Sequence, residues 1–130
     1  MQEKLSEKFT FKKRLLSFKY AFNGIVYLYK TQPNLWIHTV VMVIAICLNI
    51  FLKISLTEWA VILIVMAMVL VSEIFNTAIE LIVDFISPKF NKKAGIIKDI
   101  AAGGVLLTVF LAVILGFIVY IPYILKILKL

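Results

Sequence analysis

The sequence has few of the residues that stabilise secreted and metal-binding domains. Its 130 residues include one cysteine, three prolines, five glycines and seven acidic residues. A single cysteine, Cys47, excludes an internal disulfide and a multi-cysteine metal site, and its apolar neighbours predict a buried, unreactive thiol. Because no stretch is of low complexity, the chain has no linker that would divide it into domains.

Hydrophobic residues are abundant instead. They make up 63% of the chain and give it a mean hydropathy of +1.05. Since soluble domains are about half apolar, the composition predicts a membrane protein. On a membrane protein, the net charge of +7 is explained by basic residues that orient the loops across the membrane and by attraction to anionic lipids. No nucleic-acid partner is expected. The first 34 residues carry charges throughout, so no cleavable signal peptide is predicted.

Three apolar segments are candidates for membrane spans. Residues 35–52 and 100–125 carry no formal charge, and a bilayer core needs roughly 20 helical residues. The middle segment has only fourteen uncharged residues between Glu58 and Glu73, about 21 Å of helix, but its helical pattern continues to the breaker pair Ser87-Pro88. The sequence therefore predicts an all-α membrane protein with transmembrane helices at about residues 34–53, 57–87 and 96–125.

A basic amphipathic helix, suited to a membrane surface, is predicted at about residues 8–30. Its apolar residues recur at three- and four-residue steps, at Phe11, Leu15, Phe18, Phe22, Ile25 and Tyr29. Eleven of the fourteen basic residues lie before the first span or between the second and third, which predicts a cytoplasmic amino terminus. Trp36, Tyr120 and Tyr123 are expected to mark the membrane interfaces, and Pro122 is expected to disrupt the last helix.

The segment SEIFNTAIELIVD, residues 72–84, places acidic residues in a highly apolar region. At 100° per residue, five polar side chains fall on roughly a third of the helix circumference. This acidic stripe consists of Glu73, Asn76, Thr77, Glu80 and Asp84. Counted inward over about 20 residues, the cytoplasmic boundary lies near Ala78, so Glu73 is roughly 8 Å inside the hydrocarbon. Because intramembrane acids are costly, the stripe is a candidate functional site; the alternative is that it only links helices through hydrogen bonds.

Charged residues at the start of the third span complement the stripe. Lys98 and Asp99 stand at the expected boundary, where Lys98 can bind phosphate or anchor the helix. Glu80 can hold Mg²⁺, which favours carboxylates together with substrate phosphates, and Glu73 can act as a general base. A membrane-held hydroxyl group and ATP would meet there, as phosphoryl transfer to a lipid alcohol requires. Gly103-Gly104 lacks the rest of a phosphate-loop motif and favours close helix packing.

At these motifs the sequence resembles the small bacterial integral-membrane lipid kinases, diacylglycerol kinase and undecaprenol kinase. SEIFNTAIELIVDFISP is similar to the family's E-I-x-N-T/S-A-I-E-x-x-V-D signature, and IIKDIAAGGVLL is similar to its K-D-x-A/G-A-G/A-A/G-V-L segment. SFKYAFNGI and TQPNLWIH resemble its amino-terminal segments. The resemblance covers nearly the whole chain. It implies one lipid-kinase domain over residues 1–130, forming a homotrimer in the cytoplasmic membrane with active sites shared between subunits.

The resemblance also implies residue roles. Glu73 would be the general base for the lipid hydroxyl group, and Glu80 would hold the Mg²⁺ that bridges the ATP phosphates. Nucleotide contacts are implied for Lys13, Tyr20, Asn76, Asp84, Lys98 and Asp99. Gln32 stands where the family has a second metal-binding acid; its amide oxygen can ligate Mg²⁺ but brings no charge, so weaker metal binding is expected.

Other departures keep alternatives open. Trp36 replaces a common Arg, and residues 88–92 read P-K-F-N-K where the family has P-E-Y-H-P, which is compatible with a catalytically degenerate member. His38 matches a family position, where a hydrogen-bonded interfacial histidine is expected. A non-enzymatic channel or scaffold protein is the alternative of a different class. The signature does not separate diacylglycerol from undecaprenol as substrate, although TQPNLWIH is slightly more similar to the undecaprenol branch.

Overall fold

The described part of the chain folds into four helices joined by short connections. The computed structural model describes residues 11–129. The helices are α1 (Phe11–Thr31), α2 (Pro33–Leu52), α3 (Leu56–Ile86) and α4 (Lys92–Leu128). Three of them, α2, α3 and α4, are long and apolar enough to cross a membrane, which confirms the predicted all-α fold with three apolar helices. The first residues of the predicted surface helix, 8–10, lie outside the described part of the chain.

Local sequence sets the helix ends. Gln32 separates α1 from α2 in an extended conformation, with φ −116° and ψ 99°, and Pro33 suits the first position of α2 because it needs no hydrogen-bond donor there. Ser55 starts α3 with a capping box that includes Glu58. The helix ends just before Pro88, as expected, because a residue preceding proline avoids the helical conformation. Asn91 then caps α4 by accepting hydrogen bonds from two backbone N–H groups.

The three long helices form an antiparallel arrangement in which α3 and α4 pack most closely. At one end, Lys98 of α4 pairs with Asp84 of α3. At the other end, the Tyr123 hydroxyl group donates a hydrogen bond of 2.6 Å to Glu58. α2 joins the pair at this second end, where a small apolar core forms from Ala45, Ile54, Ile62 and Val119. The best-packed part of the molecule therefore lies opposite the acidic stripe.

The first helix is tied to the second by aromatic residues. Tyr29 and Thr39 share a hydrogen bond of 2.8 Å, and the Trp36 indole N–H donates one of 2.8 Å to the Tyr29 carbonyl oxygen. The two rings also meet edge to face, with centroids 5.1 Å apart. No residue of α1 is buried. These contacts fix the end of α1 at the start of α2 and leave the rest of α1 exposed.

Several expectations about individual residues are wrong. Cys47 is exposed rather than buried, since apolar neighbours also suit a residue that faces lipid. Pro122 lies inside α4, which continues to Leu128, because helices in apolar surroundings tolerate proline where neighbouring groups satisfy the freed carbonyl. α4 also begins at Lys92, before the predicted start. The interfacial position of Tyr120 and Tyr123 stays a prediction, and the two hydroxyl groups donate hydrogen bonds to Asn49 and Glu58.

Replacing Glu58 tests this end of the fold. Its Oε2 atom accepts hydrogen bonds from the Ser55 N–H at 2.8 Å, the Ser55 hydroxyl at 2.6 Å and the Tyr123 hydroxyl at 2.6 Å. Glu58→Ala is therefore expected to destabilise the fold and lower its melting temperature because the capping box is lost, measured by thermal unfolding in detergent. Tyr123→Phe should reproduce only part of this loss because it keeps the capping box. Equal melting temperatures for Glu58→Ala and the wild type would contradict the assignment.

Candidate active site

The acidic stripe continues the buried face of α3. The buried residues of this helix are Ile62, Val65, Val69, Glu73, Asn76, Thr77 and Val83, a series in steps that return to one side of a helix. Glu73 is only 3% exposed and Thr77 is 1% exposed. The polar residues therefore occupy the positions that apolar residues fill further along the same face, and they point toward protein rather than toward lipid.

Glu73 is buried without a hydrogen-bond donor. Its backbone carbonyl oxygen accepts a bond of 3.0 Å from the Thr77 hydroxyl, but within residues 11–129 no group donates to its carboxylate. An ionised carboxylate in such surroundings is costly unless it is paired, solvated or neutralised. The position therefore favours a hydrogen bond to this carboxylate from a group outside the described chain.

The neighbouring polar residue is also incompletely satisfied. The Asn76 Nδ2 group donates to Glu80 Oε1 at 3.3 Å, while Asn76 Oδ1 is buried and has no partner. Buried polar atoms almost always have partners, so an orphaned oxygen calls for a ligand, an ion or a water molecule. Glu80 is partly exposed and sits one turn further along α3. Together they offer two side-chain oxygen groups, the ligand type that Mg²⁺ prefers.

A metal ion at this position would need ligands beyond the protein. Within residues 11–129, no three His, Cys, Asp or Glu side chains lie close enough to hold an ion. Mg²⁺ is commonly bound by one or two carboxylates, substrate phosphates and water rather than by a cage of side chains. The donor set around Glu80 fits that mode of binding.

The Lys98–Asp84 pair lies at the same end of the bundle. Lys98 Nζ is 2.5 Å from Asp84 Oδ1, with 34% and 62% of the two side chains exposed. An exposed pair adds little to stability, but it holds the ammonium group at the rim of the acidic stripe. Asp99, its neighbour in sequence, is exposed. The structure thus pairs Lys98 with an acid of α3 rather than with Asp99.

Three predicted site residues are not joined to this cluster in the single chain. Lys13 and Tyr20 lie on α1 and are exposed, and α1 packs chiefly on α2. Gln32 precedes α2, and its side chain makes no capping hydrogen bond. Neither Tyr20 nor Gln32 bonds to α3 or α4 within the described residues. The structure therefore brings together the residues on α3 and α4 and leaves those of the amino-terminal segment apart.

A hydrogen bond fixes α4 beside the stripe. The Ser72 and Thr108 hydroxyl groups are 2.9 Å apart. Ser72 is the residue of α3 that immediately precedes Glu73. Close packing at Gly103-Gly104 is not observed among residues 11–129, because a Cβ atom added to either glycine would meet none of their atoms within 4 Å. Contact with α4 next to the stripe thus depends on polar side chains rather than on glycine.

An apolar groove lies between α2, α3 and α4. Its volume is about 380 Å³, and Val69, one turn from Glu73, lies along its α3 wall. His38 is the only basic or acidic side chain among its lining residues, and it makes no hydrogen bond within the described residues, contrary to expectation. Tyr120 lines the groove and bonds to Asn49, which is fully buried.

Sequence reasoning did not identify this groove. A signal was present, since small residues recur every four positions along α4, at Gly104, Thr108, Ala112 and Gly116. Such a series places small side chains on one side of a helix, where two of them, Ala112 and Gly116, line the groove. Asn49, a lone amide within the first apolar segment, was a second signal, because polar groups in a span usually have a partner.

Comparison with known proteins agrees with the resemblance carried by the motifs. Residues 19–120 match the family model described as prokaryotic diacylglycerol kinase. A diacylglycerol kinase of Synechocystis sp. is 38% identical over 109 residues, which cover 83% of this chain and 62% of the relative. An undecaprenol kinase of Bacillus subtilis is 30% identical over 106 residues, which cover 82% of this chain and 86% of the relative. The chain thus spans less than two thirds of the cyanobacterial relative.

Proposed function

This chain belongs to the prokaryotic diacylglycerol kinase family, and we propose that it is an ATP-dependent lipid kinase acting on the hydroxyl group of a membrane lipid alcohol. The relatives named as kinases of two different lipid alcohols support this activity class. The three apolar helices support action within a membrane. The basic residues next to the acidic end of the bundle support a cytoplasmic position for that end.

The observation that carries the proposal is the Glu73 side chain, which belongs to a residue only 3% exposed and receives no hydrogen bond within the described residues. A lipid hydroxyl group beside it would supply a donor. In the reaction, Glu73 accepts the hydroxyl proton while the alcohol oxygen forms a bond to the γ-phosphorus of ATP. The bond between this phosphorus and the β–γ bridging oxygen breaks, and ADP leaves. A positioned base typically accelerates such a step by about 10²–10⁴-fold.

The rest of the cluster suits nucleotide binding. Glu80 and the unpartnered Asn76 oxygen would hold Mg²⁺, which when bound neutralises charge on the phosphates. Lys98, held by Asp84 at the rim, would contact phosphate as a point charge. Asp99, Lys13, Tyr20 and Gln32 are assigned supporting contacts with the nucleotide or metal.

We also propose that the site is completed between subunits of a homotrimer. Exposure of Lys13 and Tyr20 within one chain supports this assembly, because a neighbouring copy can bring them to the α3 cluster. The open space around Gly103 and Gly104 supports it as well, since small residues let helices of different chains approach closely.

A direct assay tests the function. Purified protein in mixed micelles with Mg²⁺ and radiolabelled ATP is expected to transfer label to a lipid alcohol, when diacylglycerol and undecaprenol are offered in separate reactions. Thin-layer chromatography of the lipid fraction measures the product. Label on neither lipid, with folded protein, would contradict the proposal.

The rival hypothesis is a non-enzymatic channel or scaffold. It is favoured only by the polar path that the acidic stripe would form along α3. Measurements on protein reconstituted in vesicles distinguish the channel hypothesis from the kinase hypothesis. A channel gives cation flux without ATP, and a kinase gives phosphorylated lipid without cation flux. A catalytically degenerate family member would give neither signal.

A further inference from the structure

We infer that Trp36 is a positioning residue of the proposed kinase: together with Tyr29 it stabilises the joint between α1 and α2, and so fixes the direction of α1 and the place of Gln32. The inference rests on the proposed function, because Gln32, Tyr20 and Lys13 are assigned there to the metal and the nucleotide. It adds residues that touch neither ligand and that act by holding the residues that do.

The joint is a single break in an otherwise helical segment. α1 ends at Thr31 and α2 begins at Pro33, so Gln32 alone separates them, with φ −116° and ψ 99°. Pro33 has a fixed φ and disfavours a helical conformation in the residue before it. The angle between α1 and α2 is therefore set mainly by the two backbone dihedral angles of Gln32, which is itself the residue proposed to bind the metal.

The break leaves one carbonyl oxygen without its helical partner, and Trp36 supplies a donor to it. In a continuous helix the Tyr29 carbonyl oxygen would accept a hydrogen bond from the N–H group of residue 33, but proline has no such group. The Trp36 indole N–H donates to this oxygen instead, at 2.8 Å. The bond spans Gln32 and ties the last turn of α1 to the first turn of α2.

Two further contacts cross the same break. The single Thr39 hydroxyl hydrogen goes to the Leu35 carbonyl oxygen at 2.7 Å, so the Tyr29 hydroxyl group is the donor in its bond of 2.8 Å with Thr39. The Tyr29 and Trp36 rings also meet edge to face, with an interplanar angle of 74°. Three contacts that share Tyr29 thus restrain one pair of dihedral angles.

The rest of α1 has little else within the chain to direct it. None of its residues is buried, and it packs chiefly on α2. A membrane can hold a basic amphipathic helix in the plane of its surface, but lipid is the same in every direction within that plane. Among the described residues, the direction of α1 is therefore set at the joint.

A small error at the joint becomes a large one at the proposed nucleotide contacts. Tyr20 lies nine residues before Tyr29, and Lys13 lies sixteen residues before it, about 14 Å and 24 Å along the helix. A rotation of about 10° at the joint would displace them by roughly 2 Å and 4 Å. Since a misplacement of about 1 Å can cost about 10²-fold in rate, the joint has to be rigid for these residues to act on the nucleotide.

Trp36→Phe tests the joint, because it removes the indole N–H and keeps an aromatic ring. It is expected to raise KM for ATP and to weaken apparent Mg²⁺ affinity by about tenfold or more, since residues that only support a metal ligand have effects of about 10–100-fold. KM for the lipid alcohol should stay the same, because Glu73 lies on α3, which packs chiefly on α4. Tyr29→Phe, which removes only a hydroxyl group, should change the same two constants by a smaller factor. Turnover of radiolabelled ATP in mixed micelles measures all three constants.

Substitutions of the same kind elsewhere are the controls. Trp59→Phe removes an indole that borders the apolar core at the other end of the bundle. Tyr27→Phe removes from α1 a hydroxyl group that makes no hydrogen bond within residues 11–129. Both are expected to keep the wild-type constants. An equal rise in KM for ATP in Trp36→Phe and Trp59→Phe would overturn the inference, because the effect would then follow from lost packing in general.

Residue 32 gives a readout that a merely structural role would not move. Gln32→Glu is expected to increase apparent Mg²⁺ affinity, and this gain should be lost when Gln32→Glu is combined with Trp36→Phe, because the added carboxylate is then no longer held toward the metal. An equal gain with and without Trp36→Phe would overturn the inference. No gain in either background would overturn the part that concerns Gln32.

Hydrogen exchange observes the joint without turnover. The Gln32 N–H donates to the Leu28 carbonyl oxygen at 2.8 Å, and the Leu35 N–H donates to the Gln32 carbonyl oxygen at 3.3 Å. In Trp36→Phe, mass spectrometry in detergent is expected to show faster exchange in peptides that cover residues 28–36 and wild-type exchange in α3 and α4, because only the joint opens more often. The inference requires both the faster exchange and the higher KM for ATP, and the absence of either overturns it.

The outcomes separate this inference from the proposed function. Wild-type KM values in Trp36→Phe, in a protein that phosphorylates lipid, overturn the inference and leave the kinase intact. If the wild type phosphorylates no lipid, the proposed function fails, and binding of Mn²⁺ with a non-hydrolysable nucleotide decides the inference. Weaker binding in Trp36→Phe than in Trp59→Phe then supports the joint as a positioning device, and equal binding overturns it.

Discussion

Glu73→Gln is expected to lower kcat for lipid phosphorylation by about 100-fold or more, with no loss of folded protein. The amide has nearly the same shape as the carboxylate and fits the same buried position, but it cannot accept the hydroxyl proton. It also removes a costly ionisable group from an apolar site, so stability should stay the same or rise. Radiolabelled ATP turnover and thermal unfolding in detergent measure the two effects separately.

Glu58 gives the control for this substitution. It is also an acidic residue of α3, and it lies at the opposite end of the helix, where it bonds to Ser55 and Tyr123. Glu58→Gln should therefore affect stability more than turnover, the reverse of Glu73→Gln. Wild-type kcat in Glu73→Gln would remove this residue as the base, and the proposed mechanism would then lack a proton acceptor.

Two variants at the metal position are expected to shift the Mg²⁺ requirement in opposite directions. Glu80→Gln removes the charge of the proposed ligand and should weaken apparent Mg²⁺ affinity by about 10–100-fold or more, since even residues that only support a metal ligand have effects of that size. Gln32→Glu adds a negative charge where the family usually has an acid, and it should increase the apparent Mg²⁺ affinity. The measurement is turnover against free Mg²⁺ at saturating ATP and lipid.

Binding without turnover provides a second measurement. Mn²⁺ can replace Mg²⁺ at oxygen-ligand sites, and its paramagnetic resonance signal reports the bound fraction in the presence of a non-hydrolysable nucleotide. The Glu58→Gln variant is the control, because it removes an acid at the opposite end of α3, where Glu58 bonds to Ser55 and Tyr123. An unchanged metal requirement in Glu80→Gln would exclude Glu80 as a ligand. An unchanged metal requirement in Gln32→Glu would likewise exclude Gln32 as a ligand.

The residues on one helix were predictable as a group. Glu73, Asn76 and Thr77 share a face because helical geometry repeats every 3.6 residues, and all three are buried. The end of α3 before Pro88 was predictable for a similarly local reason, the restriction that proline places on the residue before it. In each case the evidence lies within a few turns of one helix.

Residues facing other helices were harder to predict. Tyr120 and Tyr123 were predicted from their type alone to mark the membrane interface, where tyrosine is common, and that reasoning did not identify their partners Asn49 and Glu58. Cys47 was expected to be buried, but an apolar sequence context is the same for a residue facing protein and one facing lipid. Gly103 and Gly104 were expected to favour close helix packing, and small size permits such an approach without specifying the partner.

The sequence by itself determined that residues 11–129 contain three helices long and apolar enough to span a membrane and that its costly acids share one face of the second. Both follow from composition and periodicity, which act within a single helix. Only the tertiary structure decided that Lys98 pairs with Asp84, that Tyr120 bonds to Asn49, and that a groove opens one turn from Glu73. These features depend on the rotation and register of helices against one another, and those are set by side-chain packing between residues far apart in the sequence.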